Sequence, residues 1–252
     1  MTIIAFNRYW VIRWPWLLIN LVAVTLLLGL SFWQWQRATE KSQTLLRIAD
    51  WQARGATDIK SLNDMDPGTY DGVHLNFSAR WITPMIWLVD NQILNGRVGY
   101  DVIIAVENNA AGTEKNGADS PALLVNLGWV EAPLQRAYLP EISIPPELHV
   151  RGIFRTRTKG VLLGTNIENR GVWPMRIQQV DVEPLNSYVD RPLVNGLAYQ
   201  LTNSPFSIHY RPVVLPPERH KAYALQWLLL AFAVVVIALA ASARKSPQEI
   251  KL

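Results

Sequence analysis

The 252-residue chain has no cysteine. That excludes disulfide bridges, thiolate metal sites and a cysteine nucleophile. It leaves the compartment open, because an oxidising space tolerates a Cys-free protein as well as a reducing one does. Catalytic spacing is missing too. There is no H-E-x-x-H, no G-x-S-x-G, no phosphate-cradling G-x-x-x-x-G-K and no G-x-G-x-x-G. Charge is absent from two long stretches. One lies between Arg13 and Arg37, "WPWLLINLVAVTLLLGLSFWQWQ"; the other lies between Lys221 and Arg244, "AYALQWLLLAFAVVVIALAASA".

Each uncharged stretch is long enough to cross a hydrocarbon core of about 30 Å as a helix. Tryptophan or tyrosine stands near their ends, as in interfacial belts. The first run is too long for a cleavable signal peptide, and no small-x-small site follows "WQWQRATEK". Two spans are therefore expected, at residues 14–36 and 222–243.

The net charge of +4 is unevenly placed. Residues 37–221 hold 19 Lys and Arg against 19 Asp and Glu, so the middle of the chain is neutral. The tails hold Arg8, Arg13, Arg244, Lys245 and Lys251 against Glu249 alone. The basic balance thus belongs to two membrane-flanking tails and not to a nucleic-acid surface. Basic short tails favour the cytoplasmic side, while long domains translocate regardless of charge. The expected order is a cytoplasmic tail (1–13), a span, an outer domain (37–221), a second span, and a cytoplasmic tail (244–252).

Residues 36–54 continue the first span as a helix, with Leu45, Ile48, Ala49 and Trp51 near one face and Gly55 as its stop. The period then changes. "GVHLNFSARW", "MIWLVDNQI", "VGYDVIIAV", "ALLVNLGWV" and "LHVRGIFRTRT" are short, β-branched and aromatic, so they read as strands. Asn95-Gly96 between two of them marks a hairpin. "ENNAAGTEKNGADSP" reads as a surface loop open to proteases. "WPMRIQQVDV", "LAYQLTN" and "FSIHYRPVVL" add strands, with a short helix around "PLNSYVD". No internal repeat is present. Few strands have two apolar faces, which favours an antiparallel, barrel-like or sandwich sheet. The fold class expected is membrane α plus a soluble, mostly β domain held between two transmembrane helices.

His74, His149 and His209 stand alone on expected strands or edges, with no second metal-type residue at ligand spacing. They read as polar surface or packing side chains. Arg151, Arg155, Arg157 and Lys159 cluster in "RGIFRTRTK". Either the tract guards a solvated edge strand, or it docks carboxylates or lipid headgroups. The entry to the second span is different. With a helix from about Glu218, His220, Tyr223 and Trp227 fall at i, i+3 and i+7. The first span ends in Trp33, Gln34, Gln36 and Arg37 at the same membrane level. An ionisable residue at a membrane boundary is a functional candidate; the alternative is an interfacial side chain that only orients the span.

Three stretches carry a resemblance. "LLLGLSFWQWQRATEK" contributes Gly29, Trp33, Gln34 or Gln36, Arg37 and Lys41. "LLVNLGWV" contributes Val125, Asn126, Gly128, Trp129 and Val130. "PPERHKAYALQW" contributes Pro216, Pro217, Glu218, His220, Tyr223, Ala224, Gln226 and Trp227. Over nearly its whole length the chain resembles the surfeit-one (Shy) family of cytochrome c oxidase assembly factors. Trp33 stands one residue late against the family spacing, Leu127 replaces a common Arg, and Lys221-Ala222 replace a usual Leu-Gly.

The resemblance implies maturation of the heme-copper oxidase core subunit, with heme a as cargo. It also implies partnership with that subunit and with heme a synthase at a lipid membrane, and no enzymatic activity. No Arg-rich, acid-poor presequence is seen, so the expected location is a bacterial inner membrane with the central domain periplasmic. A heme carrier needs an apolar slot, an axial ligand and basic groups for the propionates. His220 is the expected iron ligand. Trp33, Tyr223 and Trp227 would flank the porphyrin, and Arg37, Arg219 and Lys221 would meet the propionates. Two other readings stay open: a cargo-free scaffold or accessory subunit bound to the oxidase, and a membrane-tethered hydrolase with its site in the β domain.

Overall fold

The computed structural model describes residues 2–5, 8–11, 13–63, 65, 69–109, 121–156, 162 and 164–244. Two compact units emerge: residues 1–45 with 213–252, and residues 46–212.

The first unit is built on two long helices. Helix α1 spans Trp14–Arg54 and α4 spans Pro217–Ser242. Both are long and apolar enough to cross a membrane. No residue of the most apolar stretch of α1 is buried, and only 11% of the corresponding stretch of α4 is. A soluble protein does not leave so much contiguous apolar surface in water. These faces are suited to lipid, and the chain reads as a membrane protein.

α4 begins as proline dictates. Pro216 sits extended at the cap (φ −69°, ψ 154°), Pro217 takes the first turn where no N–H is needed, and Glu218 faces the positive end of the helix dipole. The two helices are tied by Ser31 Oγ donating to the Ala224 carbonyl (2.8 Å) and by His220 against Gln34. Position 31 meets 224 and position 34 meets 220, so the pair is antiparallel. The covered positions repeat in sevens. On α4 they are 217, 224 and 231, with 220, 227 and 234 between; on α1 they are 24, 31 and 38, with 27, 34 and 41. Ala38, Ala224 and Ala231 are buried on this seam. Small side chains let backbones approach where no hydrophobic force separates helix from lipid, and a seven-residue repeat is the left-handed packing pattern.

The tails bring a feature that the sequence reading did not contain. Strands β1 (Thr2–Ala5) and β2 (Arg8–Val11) form a hairpin, and β10 (Ala243–Arg244) pairs with β2, Ala243 opposite Trp10. The start of α1 and the end of α4 are thus held together.

The second unit holds the short helix α2 (Ile59–Asn63) and strands β3 (His74–Leu94), β4 (Arg97–Asn108), β5 (Leu123–Glu131) and β6 (Glu147–Arg155). Then come β7 (Ile167–Glu168), β8 (Met175–Ile177), the single-turn α3 (Val182–Leu185) with a 3₁₀ turn at Asn186–Tyr188, and β9 (Leu197–Gln200). The expected helical stretch 36–54 is the end of α1, which stops at Arg54, ahead of Gly55. The expected hairpin is present: Asn95 (φ 51°) and Gly96 (φ 79°) both take positive φ, and Leu94 closes on Arg97. That is the two-residue turn whose twist matches the strands.

Five details correct the sequence reading. The first two expected strands are one 21-residue strand, β3, whose pairing to β4 shifts register between Trp81 and Ile86. Pro84, which has no N–H to give the ladder, lies in the shift. The sheet is mixed rather than antiparallel, because β5–β9 and β3–β8 run parallel. Strands β3, β4, β5, β9 and β6 return on themselves, but β8 and β7 extend from β3 as a spur, so the seven strands are not a clean barrel. Two strands are buried on both faces. Val102, Ile104 and Val106 of β4 enter one core, with Val125 and Leu127 of β5; Ile103 and Ala105 enter a second, with Leu124. The second core is closed by Met175, Ile177, Val180, Leu185 and Val189. Finally, "FSIHYRPVVL" is not a strand. Pro212 deprives it of a donor, and among the described residues it makes a single bridge, Ser207 to Trp129.

Candidate functional site

His220 stands one turn into α4, half-buried on the helix seam. Its Nδ1 lies 2.7 Å from Gln34 Oε1. The amide oxygen can only accept, so Nδ1 carries the proton and donates. A neutral imidazole has one N–H, so its Nε2 presents a lone pair. Nε2 has no hydrogen-bond partner among the described residues. A fixed Nδ1–H with a free Nε2 is the arrangement that metal-bound histidines use. The residues present therefore fit an axial ligand.

The structure brings some predicted residues together and separates others. Gln34, rather than Gln36, meets His220. Trp227 lies on the same seam, one heptad after His220, and is half-buried. Tyr223 and Trp33 are exposed, on helix faces beside the seam and open to an apolar ligand. The Arg37 guanidinium lies 5.8 Å from the Trp33 ring centroid and pairs with Glu40 at 2.9 Å. Arg219 and Lys221 are exposed and make no ion pair among the described residues. They are the freer cations for an anionic edge.

The other histidines sit in the β unit. His149 is exposed and its Nε2 donates to Asn76 Oδ1 at 2.7 Å. His74 Nε2 is buried without a partner, and burial pushes its pKa below the ordinary imidazole value. Among the described residues no three His, Asp or Glu side chains gather as a metal site.

Two polar nodes escaped the sequence reading. In the first, Asp101 is buried between His209, whose Nε2 donates to Oδ1 at 2.6 Å, and Asn126, whose Nδ2 donates to Oδ2 at 2.8 Å. The hydrogen bond to Asp101 raises the His209 pKa against the opposing effect of burial. Asn126 Oδ1 accepts from the Gly128 N–H at 2.8 Å. Gly128 has φ 123°, and a Cβ there would meet the Ser207 carbonyl at 2.8 Å. Ser204 Oγ donates to the Leu127 carbonyl, and Ser207 exchanges both backbone bonds with Trp129. Residues 204–209 are thus strapped onto β5. No hydroxyl bonds the other ring nitrogen of His209 among the described residues. The signal that could have found this node was Asn126 itself: a polar residue inside "ALLVNLGWV" must have a buried partner.

In the second node, Asp71 accepts from Arg155 Nε (2.8 Å), Thr156 N (3.0 Å), Thr156 Oγ1 (3.1 Å) and an Arg47 guanidinium nitrogen (3.4 Å). Arg155 also donates to Tyr210 OH (3.0 Å) and the Pro212 carbonyl (3.4 Å). Arg155 therefore leaves the proposed docking tract for a partly buried ion pair. Arg151 is exposed, while Arg157 and Lys159 lie outside the described residues.

Among curated proteins, none matches this sequence. The family model for the SURF1 family, however, matches residues 21–232, from within the first span to well inside the second, and the chain belongs to that family.

Proposed function

We propose that the protein is an assembly factor for the heme-copper oxidase core subunit that holds heme a at the membrane interface and passes it on. The SURF1 family is known for cytochrome oxidase assembly; the heme step is the finer reading. The observation that carries it is the His220 ring, with Nδ1 engaged by Gln34 and Nε2 free, at the point where α4 enters its apolar stretch. Heme is an apolar plate with two carboxylates at one edge. Exposed Trp33 and Tyr223 supply apolar faces beside the ligand. Arg219 and Lys221 supply charge at the depth where propionates would meet headgroups, and Arg37 would have to leave Glu40 to join them. The chain's work is to bind, orient and release the cargo.

On this reading the protein lies in a bacterial inner membrane, with both tails cytoplasmic and the β unit periplasmic. Its partners are the oxidase core subunit and heme a synthase. The test is heme occupancy of the full-length protein made in cells that synthesise heme a. Wild type should carry a Soret band, and His220→Ala should lose it while still accumulating in the membrane. His74→Ala, His149→Ala and His209→Ala should keep it. Equal occupancy in wild type and His220→Ala would remove the residue from the site. A colourless wild type that co-purifies with the oxidase would favour a cargo-free scaffold.

A further inference from the structure

We infer that Gln34 is the positioning residue of this site: its uncharged side-chain oxygen fixes the tautomer and angle of the His220 ring, so that a bound iron would be held at a strength compatible with transfer. The inference rests on the heme reading above and deepens it.

The geometry is specific. His220 Nδ1 and Gln34 Oε1 are 2.7 Å apart. Gln34 does not reach the ring by chance of rotamer. One turn earlier on α1, Ser31 Oγ is bonded to the Ala224 carbonyl at 2.8 Å, which locks the register of the two helices. One turn later Ala38 is buried, and on the facing helix Pro217 and Ala224 are buried on either side of His220. Buried Ala38, Pro217 and Ala224 flank the pair, and among the described residues Gln34–His220 is the one side-chain to side-chain hydrogen bond across the seam. The neighbouring Gln36 and Gln226 are exposed and make no such contact among the described residues.

The chemistry follows from the acceptor. Histidines that hold a resident metal commonly donate Nδ1–H to a carboxylate, which raises the basicity of the ring and tightens the metal. A carboxamide accepts the same hydrogen bond without a charge. It orients Nε2 as well as a carboxylate would and donates less electron density to the iron. A charged partner would hold heme more tightly, and a neutral one would leave it easier to hand on. Glutamine also resists ionisation at the edge of the bilayer, where a buried carboxylate would need a counter-charge.

The test uses the full chain in detergent, titrated with ferric heme and read by absorbance, with the midpoint potential measured by spectroelectrochemistry on the same samples. Four proteins are compared: wild type, His220→Ala, Gln34→Leu and Gln34→Glu. His220→Ala should lose the ligated spectrum. Gln34→Leu should bind heme about 10–100-fold more weakly, the usual effect of removing an outer partner of a metal-ligating histidine. Gln34→Glu should bind more tightly than wild type and shift the potential downward. If His220→Ala binds like wild type, the heme reading falls and this inference with it. If His220→Ala loses heme but Gln34→Leu and Gln34→Glu keep the wild-type affinity and potential, Gln34 alone is refuted and its bond is only helix packing. Should Gln34→Leu fail to accumulate, Gln34→Asn decides, because it keeps the neutral amide but shortens its reach to the ring: weaker heme binding supports the positioning role, and wild-type affinity and potential overturn it.

Discussion

Asp71→Ala should destabilise the β unit far more than an average ion-pair deletion. The carboxylate is almost enclosed and receives four donors from three residues. Arg47 contributes little, since its side chain is 48% exposed and its contact is 3.4 Å; such a pair is worth about 0–1 kcal/mol. Arg155 decides the magnitude. Its side chain is only 22% exposed, and without Asp71 its charge would keep only Tyr210 OH and the Pro212 carbonyl. Breaking a buried pair from one side costs about 3–5 kcal/mol. Partial exposure of Arg155 places the expectation at the lower end, about 3 kcal/mol. In a unit of this size that is a fall in Tm of about 6–12 °C. The Asp50–Arg54 pair is an internal control, with side chains 58% and 60% exposed. Asp50→Ala should cost less than about 0.5 kcal/mol. Thermal melts of the full-length protein in detergent, followed by near-UV circular dichroism, separate the cases. An Asp71→Ala melt within about 2 °C of Asp50→Ala would refute the reasoning. Asp71→Leu with Arg155→Met removes both charges together, and should recover much of the loss.

The Asp101–His209 pair should make stability depend on pH in a defined direction. The folded pKa of His209 is raised, chiefly by the bond to Asp101. Its contribution is therefore complete below the ordinary imidazole value of about 6.5, and it is lost as pH rises through the raised folded value. His209→Gln should flatten the stability profile across that window; an unchanged slope would count against the pair. For topology, the pairing of β10 with β2 holds both helix ends at one side. Reporter fusions at Gly117, which lies outside the described residues, and at the C terminus should report opposite sides of the membrane. The same side for both would overturn the two-span reading.

Much of this protein was legible in the sequence because its signals are local. A run without charge fixes each span, Asn95-Gly96 fixes a turn, and Pro216-Pro217-Glu218 fixes a helix start. Each depends on atoms a few residues apart. What sequence reasoning missed depends on residues far apart along the chain. Asp71 and Arg155 are 84 positions apart, and Asp101 and His209 are 108 apart. No periodicity announces such partners. The strands hid a second layer for the same reason. β4 reads "VGYDVIIAV" whether one face or both are covered, and only the later segment around Met175–Val189 reveals that both are.

The seam shows where local and distant information meet. The spacing of His220, Tyr223 and Trp227 suggested one common face. In three dimensions the seven-residue repeat keeps His220 and Trp227 on the seam and turns Tyr223 out to an exposed face. The correction comes from the partner helix, since only the Ser31–Ala224 and Gln34–His220 bonds define which face is inside. The motif around His220 supplies one partner of the hydrogen bond across the seam, the motif in the first long helix supplies the other, and the two stand 186 positions apart. Neither motif is interpretable alone, because each supplies one half of the hydrogen bond that crosses the seam. Two antiparallel helices are the smallest arrangement that brings both side chains to one level of a shared seam.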